Sequence, residues 1–227
     1  MPAAGYATRL GDAVRGSKEV QLVGGRPVMT YLLDRFAAAG ASEVRIVTRP
    51  EKDDVIALAA THGATVVTGH PATVSASLTL GMVDIAPSDI VLFGFPDTIW
   101  SPADGFVPMA RTVLDGAPLT LGLFDSDDPA RADVAILGDT GRLVRVEVKP
   151  GRATTSLVWG AAAARAGYLR DILADAEPGV AFDRAARTGD VATVRLGRVI
   201  DIGTPAAIRA ADDDPLVRTG PDADRDP

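Results

Sequence analysis

Three stretches of this 227-residue chain carry side chains that can bind and move phosphate groups. The first is the small-residue run Ala3-Ala4-Gly5-Tyr6-Ala7-Thr8, followed by Arg9 and, further on, by Lys18. Small residues let the backbone approach a ligand closely, and a turn of successive N–H groups forms a concavity for an anion. Arg9 offers a planar fork that fits phosphate oxygens, and Lys18 a movable point charge. The other two stretches end on Asp97 and Asp201, each following a short apolar run. Carboxylates that converge from strand ends suit a hard cation held partly by substrate phosphates. Each residue also has a structural reading. Arg9 and Lys18 could be solvated cations of a surface loop, Asp97 the cap of a turn after Pro96, and Asp201 the cap of a helix beginning near Pro205.

Elements must bring these residues together. Residues 27–39 read as a helix, with proline near its first turn, apolar positions Val28, Leu32, Leu33 and Phe36, and Gly40 as its stop. A strand over 42–48, a helix over 51–62 and a strand over 64–68 alternate on short connections, which predicts parallel pairing. A helix follows over 72–83. The continuous apolar run 90–95 (IVLFGF) is expected for a strand buried on both faces. Asp97 stands just past its C-terminal end, where open α/β sheets bind ligands. Further on, a helix is expected over 103–114, strands over 119–124, 133–137, 142–148 and 157–163, and helices over 167–175 and 180–187. The last strands are expected over 191–196 and 199–202, with a final helix over 205–211. His62 ends a helix and reads as its cap, while Trp100 and Trp159 read as packing groups. The fold class is α/β, a Rossmann-like, mixed but mostly parallel sheet with helices on both faces. Such a sheet feeds a central strand directly into its phosphate loop. Met1 stands where that strand should end, so the first strand is expected to be truncated, with about six apolar residues upstream.

PAAGYATRL followed by SKE resembles the Gly-Xaa-Gly-Thr-Arg … Pro-Lys signature of the sugar-phosphate nucleotidylyltransferases, such as the glucose-1-phosphate thymidylyl- and uridylyltransferases. GFPDTI (94–99) resembles that family's first metal-aspartate motif, VEVKP (146–150) its Glu-Lys-Pro strand, and DIGTP (201–205) its closing motif. The resemblance covers residues 2–211 and implies attack by a sugar-1-phosphate oxygen on the α-phosphorus of a nucleoside triphosphate. It assigns Asp97 and Asp201 to Mg²⁺, Arg9 to the departing pyrophosphate, and Lys18 to the α-phosphate region. Lys149, with Glu147 and Gly160, goes to the sugar phosphate. The segment 68–76 (TGHPATVSA), with Gly69, His70 and Ser75, is assigned to the base, and Tyr6 could lie along the ribose or base. The sequence departs from the pattern at Ala7 and Ser17, where the family has glycine and proline. Val148 stands directly before Lys149, where the family has a sugar-binding Glu, and Glu147 one position away points to the opposite face of a strand. A polyol or choline phosphate acceptor, used by a cytidylyl- or related transferase, therefore stays open. So does a non-catalytic sensor of nucleotide sugars, although a sensor need not keep both aspartates.

Composition narrows the classes further. Apolar residues make up 47% and charged residues 23% of the chain, which marks it as globular. The net charge of −7 argues against a nucleic-acid binder. Residues 212–227 hold six Asp and two Arg, so the rest carries only −3, and this acidic stretch is expected to be a disordered tail beyond a nucleotidyltransferase domain over 1–211. With no cysteine, disulfides and thiolate metal sites are excluded, which fits a cytoplasmic enzyme. No membrane partner is expected, and a homo-oligomer is compatible with the sequence. A dinucleotide-dependent oxidoreductase fits poorly, since the loop has no Gly-Xaa-Gly-Xaa-Xaa-Gly.

Overall fold

A computed structural model describes residues 1–5 and 16–218. Tyr6, Ala7, Thr8 and Arg9, on which part of the sequence reading rests, lie outside the described residues. Two strands, β1 (Leu22–Val23) and β2 (Arg26–Pro27), form a small antiparallel hairpin that the sequence reading did not foresee. Its two-residue turn, Gly24-Gly25, has φ of +60° and +80°, the left-handed pair that a tight hairpin needs. Helix α1 (Met29–Ala38) follows, burying Met29, Leu32, Leu33 and Phe36 at helical spacing.

Strand β3 (Arg45–Thr48), helix α2 (Asp53–Thr61) and strand β4 (Thr65–Thr68) form the expected parallel unit, with Arg45 opposite Thr65. His62 closes α2 as expected, its Nδ1 lying 3.0 Å from the Leu58 carbonyl. Residues 1–3 run along the other edge of β3. Val47 N donates to Met1 O at 3.0 Å, and Ala3 N donates to Val47 O at 2.8 Å. Helix α3 (Val74–Gly81) starts at Thr73, whose hydroxyl accepts from Ala76 N.

The main sheet is mixed and has seven strands. They are β5 (Ile90–Gly94), β6 (Thr98–Trp100), β7 (Leu119–Asp125), β8 (Val134–Leu137), β9 (Leu143–Glu147), β10 (Leu157–Arg165) and β11 (Val191–Asp201). Their order is β6-β11-β7-β10-β8-β9, with β5 also pairing β10. The β7–β11 pair is parallel, while β10 runs antiparallel to β5, β7 and β8. Helix α4 (Phe106–Leu114) packs on one face, against a core of Leu32, Phe36, Trp100 and Phe124. Helices α5 (Ala166–Leu173) and α6 (Pro178–Thr188) pack on the other, where Leu169, Leu173 and Phe182 meet Phe93, Leu121 and Trp159. Both tryptophans are therefore core residues, as expected. The alternation along β10 changes parity at the bulge between Trp159 and Ala161, so Trp159 and Ala162 face the same core.

Strand β11 is one bulged strand and not the two expected. Residues 191–195 pair with β7, the register then shifts between Arg195 and Arg198, and residues 199–201 pair with β6. The shift occurs at Gly197, where a Cβ would lie 2.4 Å from Ser101 Oγ and 3.1 Å from Ser101 O. Any side chain there would have to displace the Ser101 hydroxyl and press on its carbonyl. Strands β3 and β5 belong to different sheets. A cavity of about 380 Å³ lies between them, lined by Met1, Phe36, Val47, Leu78, Met82 and Leu92 among others.

Helix α7 (Pro205–Asp212) is followed by a short helix α8 (Pro215–Arg218), whose Val217 is buried beside Gly24 and Ile99. The stretch expected to be disordered from residue 212 is thus structured through Arg218, because one apolar side chain inside the acidic run docks on the β1–β2 hairpin. Among the described residues, no helix is long and apolar enough to cross a membrane.

Candidate functional site

Lys18 sits on a single 3-10 turn, Lys18–Val20, which the start of α2 anchors. Asp54 accepts from Ser17 N at 2.7 Å and from Ser17 Oγ at 2.8 Å. Burial opposes the Asp54 charge, yet these bonds and one from Val55 N hold its carboxyl below the ordinary range. Gly16 is needed beside it, since a Cβ there would lie 2.6 Å from Asp54 Oδ2 and φ is +81°. The chain leaves Ser17 in a fixed direction, and Lys18 Nζ reaches Asp97 Oδ2 at 2.5 Å.

Asp97 follows β5 by way of Pro96 and is only 9% exposed. Strand β6 begins at the next residue and pairs antiparallel with β11, placing Thr98 opposite Asp201. Ile202 N donates to the Asp97 carbonyl at 3.1 Å. The two aspartates, 104 positions apart in sequence, are therefore neighbours across one strand pair. The helix-cap reading of Asp201 does not hold. Thr204 caps α7 by accepting from Ala207 N, with Pro205 at the first helical position, and Asp201 Oδ1 accepts from Gly203 N at 2.7 Å. Burial alone would depress the Lys18 ammonium, but Asp97, Glu19 and Asp201 together hold it above the ordinary lysine range.

Asp97 and Asp201 suit Mg²⁺. They are hard oxygen donors on neighbouring strand ends whose charges both act on Lys18, and Mg²⁺ is commonly held by one or two carboxylates plus substrate phosphates. Among the described residues no cluster of three or more metal-ligating side chains exists, so the two aspartates would depend on the substrate for the remaining ligands.

A second group of charges, which sequence reasoning passed over, surrounds the start of the small-residue loop. Lys52 Nζ donates to Ala3 O at 2.9 Å and to both oxygens of Glu19, at 3.0 and 2.9 Å. Glu19 is fully buried, and burial pushes its carboxyl up from the ordinary value although Lys52 and Lys18 pull it back. Arg49 Nε donates to Ala4 O at 2.7 Å, and its Nη1 lies 3.0 Å from His70 Nδ1, which acts as acceptor. The sequence signal for this group was Glu19 itself, an acid next to Lys18 in a segment otherwise read for its cation.

The residues assigned to the base divide. His70 is tied to the loop through Arg49, and Gly69 N donates to Thr48 O at 3.0 Å at the end of β4. Ser75 turns away, its hydroxyl donating to Ala176 O at 2.6 Å. On the acceptor side, the pairing of Ala161 with Gly94 puts Gly160 beside the end of β5, just ahead of Asp97. Glu147 pairs with Val134 at the end of β9 and lies 3.4 Å from Arg145. Lys149 has φ of +40°, in the bend that follows, and its charge acts on Asp133. Burial pushes the Asp133 carboxyl up against that pull. Val148 is exposed.

Comparison with known proteins bears on the family and the fold. The model of a family described as the MobA-like NTP transferase domain matches residues 2–141. No curated protein matches the sequence. Among solved structures, the chain is similar to a Bacillus anthracis protein provisionally named a glucose-1-phosphate thymidylyltransferase and crystallised with sucrose. The TM-score is 0.83 at 19% identity, over 96% of this chain and 93% of that one. At that identity the likeness is one of fold.

Proposed function

Because the chain belongs to the MobA-like NTP transferase family, we propose that it transfers a nucleotidyl group from a nucleoside triphosphate to a sugar 1-phosphate. An oxygen of the acceptor phosphate attacks the α-phosphorus, a new P–O bond forms, and the α–β anhydride bond breaks to release pyrophosphate. No side chain need become covalent, so the work of the protein is alignment and neutralisation of charge. Lys18 holds the α-phosphate region, and Arg9, by its place in the sequence pattern, the departing pyrophosphate. Lys149 holds the acceptor's phosphate, with Gly160 and Glu147 on the same side of the site. The loop from Ala3 to Thr8 receives the triphosphate, and Gly69 and His70 face the base; Ser75, bonded to Ala176, supports the segment from behind. Mg²⁺ bound by Asp97 and Asp201 would supply positive charge shared by the two substrates' phosphates.

The observation that carries this reading is the convergence of Lys18, Asp97 and Asp201, brought about by the switch of β11 from β7 to β6. A second reading, a polyol or choline phosphate as acceptor, is favoured by exposed Val148, which offers no carboxylate to a sugar hydroxyl. The test is pyrophosphate release from each common nucleoside triphosphate with Mg²⁺ and a panel of sugar, polyol and choline phosphates, with Asp97→Ala as control. Acceptor-dependent release, lost in the control, is expected. Release that survives Asp97→Ala would overturn the assignment of the metal site, and tight nucleotide binding without release on any acceptor would favour a sensor.

A further inference from the structure

Lys52 touches nothing that the proposed reaction consumes, yet it joins two parts of the site. Its ammonium holds the Ala3 carbonyl at 2.9 Å and both oxygens of buried Glu19, the residue next to Lys18. Arg49, three residues earlier, holds the next carbonyl, that of Ala4. A trans peptide is planar, with C=O and N–H antiparallel. Turning the carbonyls of Ala3 and Ala4 toward these two cations therefore turns the N–H groups of Ala4 and Gly5 away from them. Among the described residues nothing accepts a hydrogen bond from either N–H. Two donors in succession, turned from the cations and left open, are what an anion-binding loop presents.

We infer that Lys52 is a positioning residue for nucleotide binding: by gripping Ala3 O and Glu19 together, it sets the orientation of the loop's N–H donors and their placement relative to Lys18. This rests on the nucleoside-triphosphate reading of the loop. Lys52 does two separable things, since it pairs a buried carboxylate and it orients a carbonyl. The first governs stability, because a buried carboxylate stripped of its cation is destabilising. The second governs affinity for the triphosphate.

The test separates them. Lys52→Met should lower both Tm and nucleotide affinity. The Glu19→Gln/Lys52→Met double variant removes both charges and should regain most of the lost Tm. Its Kd for the preferred nucleoside triphosphate, measured by calorimetry, should stay weakened about tenfold or more, because Ala3 O then keeps only the longer bond from the Thr48 hydroxyl, at 3.3 Å. KM for the triphosphate should rise while KM for the acceptor holds. A Glu19→Gln/Lys52→Gln pair, whose amides can bond each other in the same space, serves if the methionine variant fails to fold, with the same expectation. A double variant that is stable and binds the nucleotide like the wild type would overturn the role of Lys52, leaving it a counter-ion only. Wild-type protein that binds no nucleoside triphosphate would overturn the reading of the site itself, and this inference with it.

Discussion

Replacing Lys18 with methionine should tighten divalent-cation binding while slowing the reaction. In the resting site the Lys18 ammonium lies 2.5 Å from Asp97 Oδ2 and within the field of Asp201 and Glu19. It neutralises the same carboxylates that Mg²⁺ would engage, so the ion must compete with an internal cation. A hydrogen bond involving a charged group contributes about 1.5–3 kcal/mol net. The two side chains are 21% and 12% exposed, so solvent screens part of this attraction. Taking about 1–2 kcal/mol, the Kd for Mg²⁺ measured without nucleotide should fall about 5- to 30-fold. Methionine preserves the apolar stem, which limits the change to charge. In turnover the ammonium is absent from the transition state, and kcat/KM should fall about 100- to 1000-fold. The assay is calorimetric titration with Mg²⁺ on both proteins, followed by pyrophosphate release at saturating metal. An unchanged or weaker Mg²⁺ affinity in the variant would refute the reasoning, since the ion would then not share Asp97 with Lys18.

Other changes test how the site is built. Asp201→Asn should lower kcat/KM about 100-fold or more with little change in Tm, because Asn can still accept from Gly203 N. Gly197→Ala should lower both Tm and kcat, because its Cβ would press on the Ser101 backbone and displace the end of β11 that carries Asp201; normal kcat would show that the register shift does not place Asp201. The Glu19 carboxyl titrates above its unfolded value of 4.5, so the folded chain keeps a proton that the unfolded chain has released. The contribution of Glu19 to stability therefore declines as pH rises from 4.5 through that folded value, and the Tm of Glu19→Gln minus that of the wild type should grow over the same range. Val217→Ala should cost about 1.6 kcal/mol in denaturant unfolding, the loss of two buried methyl equivalents, whereas an undocked tail would show no change.

The sequence made the candidate site's residues legible where residue type and order were enough. Asp97 after an apolar run, Asp201 before Gly-Thr-Pro and Lys18 behind a small-residue loop were all identifiable without coordinates. So was the β3–α2–β4 unit, from the alternation of strand, helix and strand on short connections. What escaped depended on partners distant in the chain. Strand β6 has only three residues and exists because β11 supplies a ladder for it. Gly197 reads as a break between strands, yet it lies in the bulge of a single strand that goes on to pair with β6. Helix α8 lies in an acidic run whose composition outweighs the single docking residue Val217. The Glu19–Lys52 pair spans 33 positions, and nothing in either local sequence marks the other as its partner.

The separation of β3 from β5 bears on how the site opens. The β3–α2–β4 unit carries Arg49 and Lys52, and its ladder is not continuous with that of the main sheet. Ile46, Val55 and Ala59 of the unit share a buried core with Leu32, Phe36 and Trp100, so packing and side-chain bonds, not a shared ladder, hold it in place. A unit held this way opens locally at less cost than global unfolding. In native-state hydrogen exchange, the amides of Val66 and Val67 on β4 should therefore lose protection before those of Leu121 and Leu123 on β7. A bound nucleoside triphosphate, by fastening the loop that this unit grips, should slow that early exchange and leave the β7 amides unchanged.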